Sequence, residues 1–382
     1  MPKIAKNVLQ FLKKKEDDDY YSIYNIAKEE YLYRMLIGER SNGKTYGADL
    51  LCIADYCLNG RQMALIRRWN EDFTGKRGQQ MFDALVKNNI ISELTNGQWT
   101  GIYYFSSRWY LSKWDDKLQK TVKKEEPFCY AFSLNAGEHD KSTSYPNIGN
   151  ILFDEFIARL AYLPDEFILF MNTVSTIVRD RGDVNIFMLG NTINQFCPYF
   201  VEMGIKDHIR KMKQGTIEVC QYGDSDTTLA IEYCANKGKS KASSKYFAFN
   251  NPKLKMITGG NWELDIYPHL PEKYNVKEDL EFSYFIIFSD IYLQCDIVCK
   301  PNRYFTYIHR KTTPIKDIEY DIVYSQEYKA QPNYKRKISR PKDDLERYIW
   351  SYFSADKVFY QDNEVGEIVR NYLEWCKTEQ AV

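Results

Sequence analysis

The chain of 382 residues has no excess of either charge, with 52 lysines and arginines against 52 aspartates and glutamates. A protein that coats nucleic acid over its whole surface is usually basic, so that class is not expected, although a local basic strip can still hold a polyanion. No apolar run approaches the ~20 residues that cross a bilayer, so no membrane partner is expected. Histidine is scarce, at four, and the nine cysteines are scattered without a framework. Cys295 and Cys299 form the close pair of the C-terminal half, and no histidine follows them at zinc spacing. The odd cysteine count, with no signal sequence, points to a reducing cytoplasm. Proline is also sparse, at 12, and no long low-complexity tract breaks up a composition that is 44% hydrophobic and 27% charged.

The length favours two domains. Aromatic residues reach 15% with 31 tyrosines, which suits surfaces that are part apolar and part wet but equally follows from an AT-rich gene. Tyr31–Ile37 reads as a buried strand interrupted by Arg34. A loop and a helix follow, the helix marked by Leu51, Ala54 and Leu58 and ended by Asn59-Gly60. Met63–Arg68 is a second strand, and Glu71–Leu94 is expected to be helical. The short runs Ile102–Phe105, Trp109–Leu111 and Phe128–Phe132 predict an antiparallel insertion whose charged tip is Asp115–Glu126. Ile151–Phe153 and Val184–Leu189 are further strands, separated by a helix over Leu163–Val178. Alternating strands and helices predict a mainly parallel sheet covered on both faces, an α/β fold. Asn236–Lys245 has a linker's composition. Beyond it, Phe282–Phe288, Ile291–Val298 and Tyr304–His309 predict antiparallel strands, followed by helices around Leu345–Phe353 and Val365–Trp375.

Gly38-Glu39-Arg40-Ser41-Asn42-Gly43-Lys44-Thr45 fits the phosphate-loop pattern G-x-x-x-x-G-K-[ST] in full, between a strand and a helix. Glycine lets the backbone curl its N–H groups around phosphates, and the helix turns its positive end to the same anion. Lys44 is placed to reach the β- and γ-phosphates of ATP, and Thr45 to ligate Mg²⁺. Ile151-Leu152-Phe153-Asp154-Glu155 ends a buried strand in two carboxylates. Asp154 is then a second Mg²⁺ ligand, and Glu155 the group that polarises the attacking water. The competing reading makes them caps of a following helix. Asn191, after another strand, is placed to sense the γ-phosphate, or is a turn residue beside Gly190. Arg179 and Arg181 close a helix; either could reach a neighbouring subunit's ATP, or could merely complement the helix dipole.

The order GERSNGKTY, ALIRRW, KSTSYPNIGNILFDEFI, VRDRGDV and MLGNTINQFCPYF resembles the genome-packaging ATPases of small, short-tailed, protein-primed phages, relatives of the terminase large subunits. The resemblance spans about Arg34 to Phe200. It implies an ASCE-type P-loop ATPase fold, a linker, and a small α+β domain of RNase H-like type that no longer cuts DNA, although Asp290 and Asp296 lie near its first hairpin. The implied spans are 1–235 for the motor, 236–275 for the linker and 276–382 for the docking domain. It further implies a homo-pentameric ring on the portal of a prohead in the host cytoplasm, with a packaging RNA, moving double-stranded DNA. Catalytic roles pass to Lys44, Glu155 and, in trans, Arg179. Arg67 and Arg68 match the family's paired arginines, while Asn70 replaces a lysine beyond them. Lys237, Lys239, Lys241 and Lys245 are candidates for gripping DNA phosphates, with solvated linker charge as the plainer reading. The rival readings are a ring helicase or cellular DNA-pumping ATPase, and a non-enzymatic assembly factor that binds RNA or portal when nucleotide is bound.

Overall fold

The computed structural model describes residues 2–17, 20–136, 144–158, 162–192, 196–223, 227–235, 267–270, 273–315, 321–327 and 329–378. The chain divides into two compact units, Met1–Glu263 and Leu264–Val382. Most of the expected linker 236–275, with Lys237, Lys239, Lys241 and Lys245, lies outside the described residues, as do Lys141, Ser142 and Thr143.

The first unit is built on a ten-stranded sheet. Its strands are β1 (Tyr33–Gly38), β2 (Gln62–Arg67), β3 (Gly101–Phe105), β4 (Arg108–Asp115), β5 (Lys120–Lys123), β6 (Cys129–Ser133), β7 (Ile148–Asp154), β8 (Asn185–Asn191), β9 (Ile217–Gln221) and β10 (Thr228–Tyr233). Their order is β3-β4-β6-β2-β7-β8-β1-β10-β9, with β5 paired to β4. The six strands from β6 to β10 run parallel, as the α/β reading requires. Burial explains their composition: β7 and β10 are buried throughout and β1, β2 and β8 nearly so, hence their almost continuous apolar runs. One face packs on helices Lys6–Lys14 and Lys44–Asn59, with Leu36, Leu51, Met63, Leu65 and Trp109 in that layer. The other face packs on helix Glu166–Val178 through Ile37, Ile66, Phe153, Phe170 and Met188.

Two expectations need correction. Glu71–Leu94 is not one helix but a 3-10 turn at Asn70–Phe73 and three short helices, Gly75–Gln80, Asp83–Lys87 and Ile90–Leu94. The breaks follow the packing: Phe73 and Phe82 pack on Trp109, whose indole N–H donates to the Gly78 carbonyl at 2.7 Å, and Leu85 and Ile90 are buried in the same core. The region after Trp99 is not wholly an antiparallel insertion either. β3, β4 and β5 are antiparallel, but β6 returns to the main sheet and pairs in parallel with β2.

Arg34, which interrupted the apolar β1 pattern, is fully buried. Its guanidinium donates to the carbonyls of Ile26 and Glu29 and to Asn185 Oδ1, at 3.1, 2.8 and 3.0 Å. Asn185 donates to Asn150, and Asn150 to Asp55, so one polar chain crosses β1, β8, β7 and the helix behind them.

The second unit carries a six-stranded sheet of β11 (Leu280–Phe288), β12 (Ile291–Lys300), β13 (Arg303–Arg310), β14 (Val323–Ser325), β15 (Tyr334–Lys335) and β16 (Val358–Tyr360). The order is β15-β14-β11-β12-β13-β16. Three antiparallel strands followed by parallel strands returning beside the first fit the reduced RNase H-like arrangement expected here. Helices Asp344–Ser354 and Asn363–Thr378 bury Ile349, Tyr352, Val365, Ile368 and Tyr372.

Glu232 of β10 yields a test of the first unit. It is 7% exposed and accepts the Tyr21 hydroxyl at 2.7 Å. Burial raises its carboxyl from 4.5 to about 7, against the lowering effect of Tyr21. Between those values the unfolded chain has lost the proton that the folded chain keeps. The contribution to stability is therefore full below about pH 4.5 and is lost as pH rises towards 7. Glu232→Gln is expected to flatten that decline. Urea midpoints at about pH 5 and about pH 7.5 check it: a variant that loses as much as the parent between them would clear Glu232 of the effect.

Candidate functional site

Strands β2, β7, β8 and β1 end together at one edge of the sheet. Gly38 lies opposite Asn191, and Asp154 opposite Leu189. This edge is where ligands bind in open parallel sheets. It opens into a cleft of about 810 Å³ lined by Arg40 to Tyr46, Arg67, Arg68, Trp69, Asp154, Glu155 and Asn191 among others.

The loop between β1 and helix Lys44–Asn59 is held from behind. Tyr21 N–H donates to the Asn42 carbonyl at 2.9 Å. Gly43 takes φ 99°, where a side chain would be strained, while a Cβ at Gly43 or Gly47 would meet Tyr20 or Ile23 at 3.4 Å, an ordinary contact. Glycine at 43 thus serves the left-handed turn. Lys44 is buried, and its ammonium bonds the carbonyls of Gly38 (3.2 Å) and Glu39 (2.6 Å) and the amide oxygens of Asn42 (3.2 Å) and Asn191 (3.3 Å). Burial lowers its pKa, against the raising effects of Cys234, Asp154 and Glu39. Glu39 is buried in the loop as well, and burial raises its carboxyl. Arg40 and Ser41 are exposed, with Ser41 at φ 61°.

Thr45 Oγ1 donates to Asp154 Oδ1 at 3.4 Å, which brings the two expected metal ligands together. Asp154 is buried, and burial raises its carboxyl while Arg67 pulls it back. Arg67 bridges both acids, reaching Asp154 at 2.5 Å and Glu155 at 2.9 Å. Glu155 stands at φ 62° with its side chain 59% exposed to the cleft. No described helix follows closely enough for either acid to cap it, the next beginning at Glu166. Asn191 is the last residue of β8 and accepts from Lys44, so it is more than a turn residue.

Other expected residues fall elsewhere. Arg179 caps the helix Glu166–Val178 in a left-handed conformation and does not line the cleft of its own chain. Arg181 donates to the carbonyls of Pro146, Tyr145 and Ile148, a structural task. Arg68 lines the cleft wall but is bound to Glu166 through two nitrogens, at 2.6 and 2.7 Å. Two participants were missed. Asp49, one turn beyond Thr45 on the same helix face, is buried near Asp154 and Arg67, and burial pushes its carboxyl well up. The four-residue spacing from Thr45 was a readable signal. Glu166, the partner of Arg68, carried none.

The residues suit a magnesium nucleotide. Asp154 and Thr45 offer the hard oxygen ligands magnesium takes, the loop offers an ammonium and a helix N-terminus, and a guanidinium already balances the two carboxylates. The Arg68–Glu166 pair, 8% and 1% exposed, has a different role and a separate test. Arg68→Ala leaves a buried carboxylate without its cation and is expected to cost about 3–5 kcal/mol, read as a fall in the urea midpoint. Changing both residues to leucine is expected to recover most of the loss; no recovery would mean that Arg68 acts through its carbonyl bonds instead.

The family profile described as Podovirus DNA encapsidation protein (Gp16) matches residues 16–219. A DNA packaging protein of Bacillus phage phi29 is 24% identical over 195 residues, 50% of this chain and 52% of that protein. A DNA packaging protein of Bacillus phage B103 is 27% identical over 183 residues, 47% of this chain and 50% of its own. The chain spans about half the length of the curated relatives it matches. Among solved structures, the bacteriophage Phi-29 viral genome packaging motor assembly aligns with 92% of this chain and 97% of its own at a TM-score of 0.54 and 17% identity. The Phi-28 gp11 DNA packaging motor covers 96% and 100% at 0.51 and 17%. These two likenesses concern the fold. With the profile matching more than half of its length, the chain belongs to the Podovirus DNA encapsidation protein (Gp16) family.

Proposed function

We propose that the chain hydrolyses ATP with Mg²⁺ to drive double-stranded DNA into a prohead, as one subunit of a ring motor. The observation that carries this is the meeting of Thr45, Asp154, Glu155, Lys44 and Asn191 at one sheet edge. A site that only held nucleotide would not need Glu155, an exposed carboxylate beside the buried Asp154, and this disfavours the non-enzymatic assembly factor. Family membership disfavours the ring helicase and the cellular pump.

In this reading the loop N–H groups and Lys44 bind the β- and γ-phosphates. Bound Mg²⁺ supplies charge neutralisation on those phosphates, with Thr45 and Asp154 as its protein ligands. Glu155 accepts a hydrogen bond from the attacking water and orients it. Lys44 must exchange its present carbonyl partners for phosphate oxygens, and Arg67 must loosen its hold on Glu155 before that carboxylate can face water. Arg179 serves the neighbouring subunit's nucleotide. The spans 1–235 and 276–382 act as motor and docking domain, joined by a linker over 236–275, with the portal and a packaging RNA as docking partners and a five-membered ring as the assembly. The docking domain is read as non-cleaving. Burial would raise the Asp296 carboxyl, but hydrogen bonds from His309, Tyr274, Gln294 and Ser283 pull it down to about 2. A carboxylate saturated in this way has little left for a metal ion.

Lys44→Ala is expected to abolish tight ATP binding, and Glu155→Gln to keep binding while losing hydrolysis. Nucleotide titration and phosphate release on both proteins check this; near-normal affinity in the first, or unchanged turnover in the second, removes the assignment. Arg179→Ala is expected to bind ATP normally and to lose about 10³-fold or more in turnover once subunits assemble. Mixing it with Glu155→Gln tests the role in trans, because some interfaces then combine an intact Glu155 with an intact Arg179. Recovered hydrolysis in the mixture supports that role, and none beyond the two separate proteins argues against it.

A further inference from the structure

The antiparallel wing of the first unit has two unlike faces. Strand alternation sends Ile102, Tyr104, Trp109 and Leu111 to one of them, where they join the core under the short helices. The other face is set by the register: Tyr103 lies opposite Tyr110, Phe105 opposite Arg108, Trp114 opposite Thr121, Ser112 opposite Lys123, and Arg108 opposite Tyr130. Helix Glu166–Val178 covers this side of the sheet over the parallel strands, while on the wing Tyr103, Phe105 and Trp114 stay 38%, 59% and 56% exposed. Exposed aromatic side chains gathered on one sheet face mark a contact surface.

The charges that β3, β4 and β5 place on that face are of one sign, while the Glu126 carboxylate, in the loop before β6, acts on Tyr130 at its rim. Arg108 sits over the Tyr130 ring at 5.6 Å and Lys123 over the Tyr110 ring at 3.7 Å, so both cations share the face with the aromatics. None of the residues that β3, β4 and β5 place there is acidic; Asp115, paired with Lys120, belongs to the opposite face. Same-face neighbours along a strand stand about 7 Å apart, which leaves room for a flat ring on each of Tyr103 and Phe105. Rings flanked by strand-borne cations suit a polyanion with flat bases. Duplex DNA keeps its base faces stacked inside and cannot use the rings. A protein partner would have no need for the charge to be of one sign.

We propose that this face of the β3–β4–β5 wing binds an unpaired polynucleotide strand, with bases stacking on Tyr103, Phe105 and Trp114 and phosphates held by Arg108 and Lys123. This is separate from the ATP site and does not depend on the proposed motor activity. The test uses the full chain and fluorescence anisotropy of a labelled oligothymidylate of about 15 nucleotides, a length chosen to cover one such platform. The parent is expected to bind it saturably. Phe105→Ser with Trp114→Ser is expected to weaken binding at least about tenfold, and to leave affinity for a labelled duplex unchanged. Aromatic replacements, Phe105→Tyr with Trp114→Phe, are expected to restore the affinity. Arg108→Gln with Lys123→Gln is expected to lower the dependence of log affinity on log salt by about 0.7 for each cation removed. No saturable binding by the parent, equal affinity after loss of both rings, or an equal loss for duplex and single strand would each overturn the proposal.

Discussion

The site depends on the register of four parallel strands. Because β2 and β7 end within two residues of β8 and β1, Arg67, Asp154, Asn191 and Gly38 arrive at one edge. A slip of one residue in any of them would turn its side chains to the opposite face and dismantle the cleft. Apolar runs fix register poorly, since one isoleucine packs much like the next. The buried polar chain supplies what they lack. Arg34, Asn185, Asn150 and Asp55 meet within the protein, and each loses its hydrogen bonds if a neighbouring strand shifts. An unpartnered buried polar group costs about 1–3 kcal/mol, more when charged, so wrong registers are penalised where correct ones are not. Features that weaken the apolar pattern of β1, β7 and β8 are therefore what align the edge that carries the cleft.

Much of this was legible in sequence because it rests on local rules. The phosphate loop, the strand that ends in Asp154 and Glu155, and the three C-terminal hairpin strands each declare themselves within a few residues. The broken region between Asn70 and Leu94 did not. Its apolar spacing is nearly helical, and the breaks follow from tertiary partners, Trp109 of β4 with its indole N–H on Gly78 and the helix Lys44–Asn59 under the later pieces. The fate of β6 was hidden for the same reason: a strand's neighbour is a property of the whole sheet, not of its own residues. The tyrosine pair behind the loop illustrates a further limit. Nothing near Tyr20 and Tyr21 marks them as the support for Gly43 and Asn42, since the contact depends on how the chain returns to the sheet.

Arg67 and Arg68 show how far apart two adjacent identical residues can be taken. At the end of β2 successive side chains point to opposite sides. Arg67 turns to the cleft and balances Asp154 and Glu155. Arg68 turns under the loop that follows β7, where it meets Glu166 and, through that carboxylate, Tyr199. It also donates to the carbonyls of Glu155 and Phe156, at 3.3 and 2.8 Å. Glu155 sits at a positive φ that non-glycine residues adopt at a cost, so the backbone there needs outside support. The two bonds from Arg68 provide it, and Glu166 in turn fixes the guanidinium that makes them. One arginine thus sets the charge that Glu155 faces, and its neighbour sets the backbone from which Glu155 projects. A sequence can show that the pair is present, but the division of labour exists only once the loop after β7 has folded over β2.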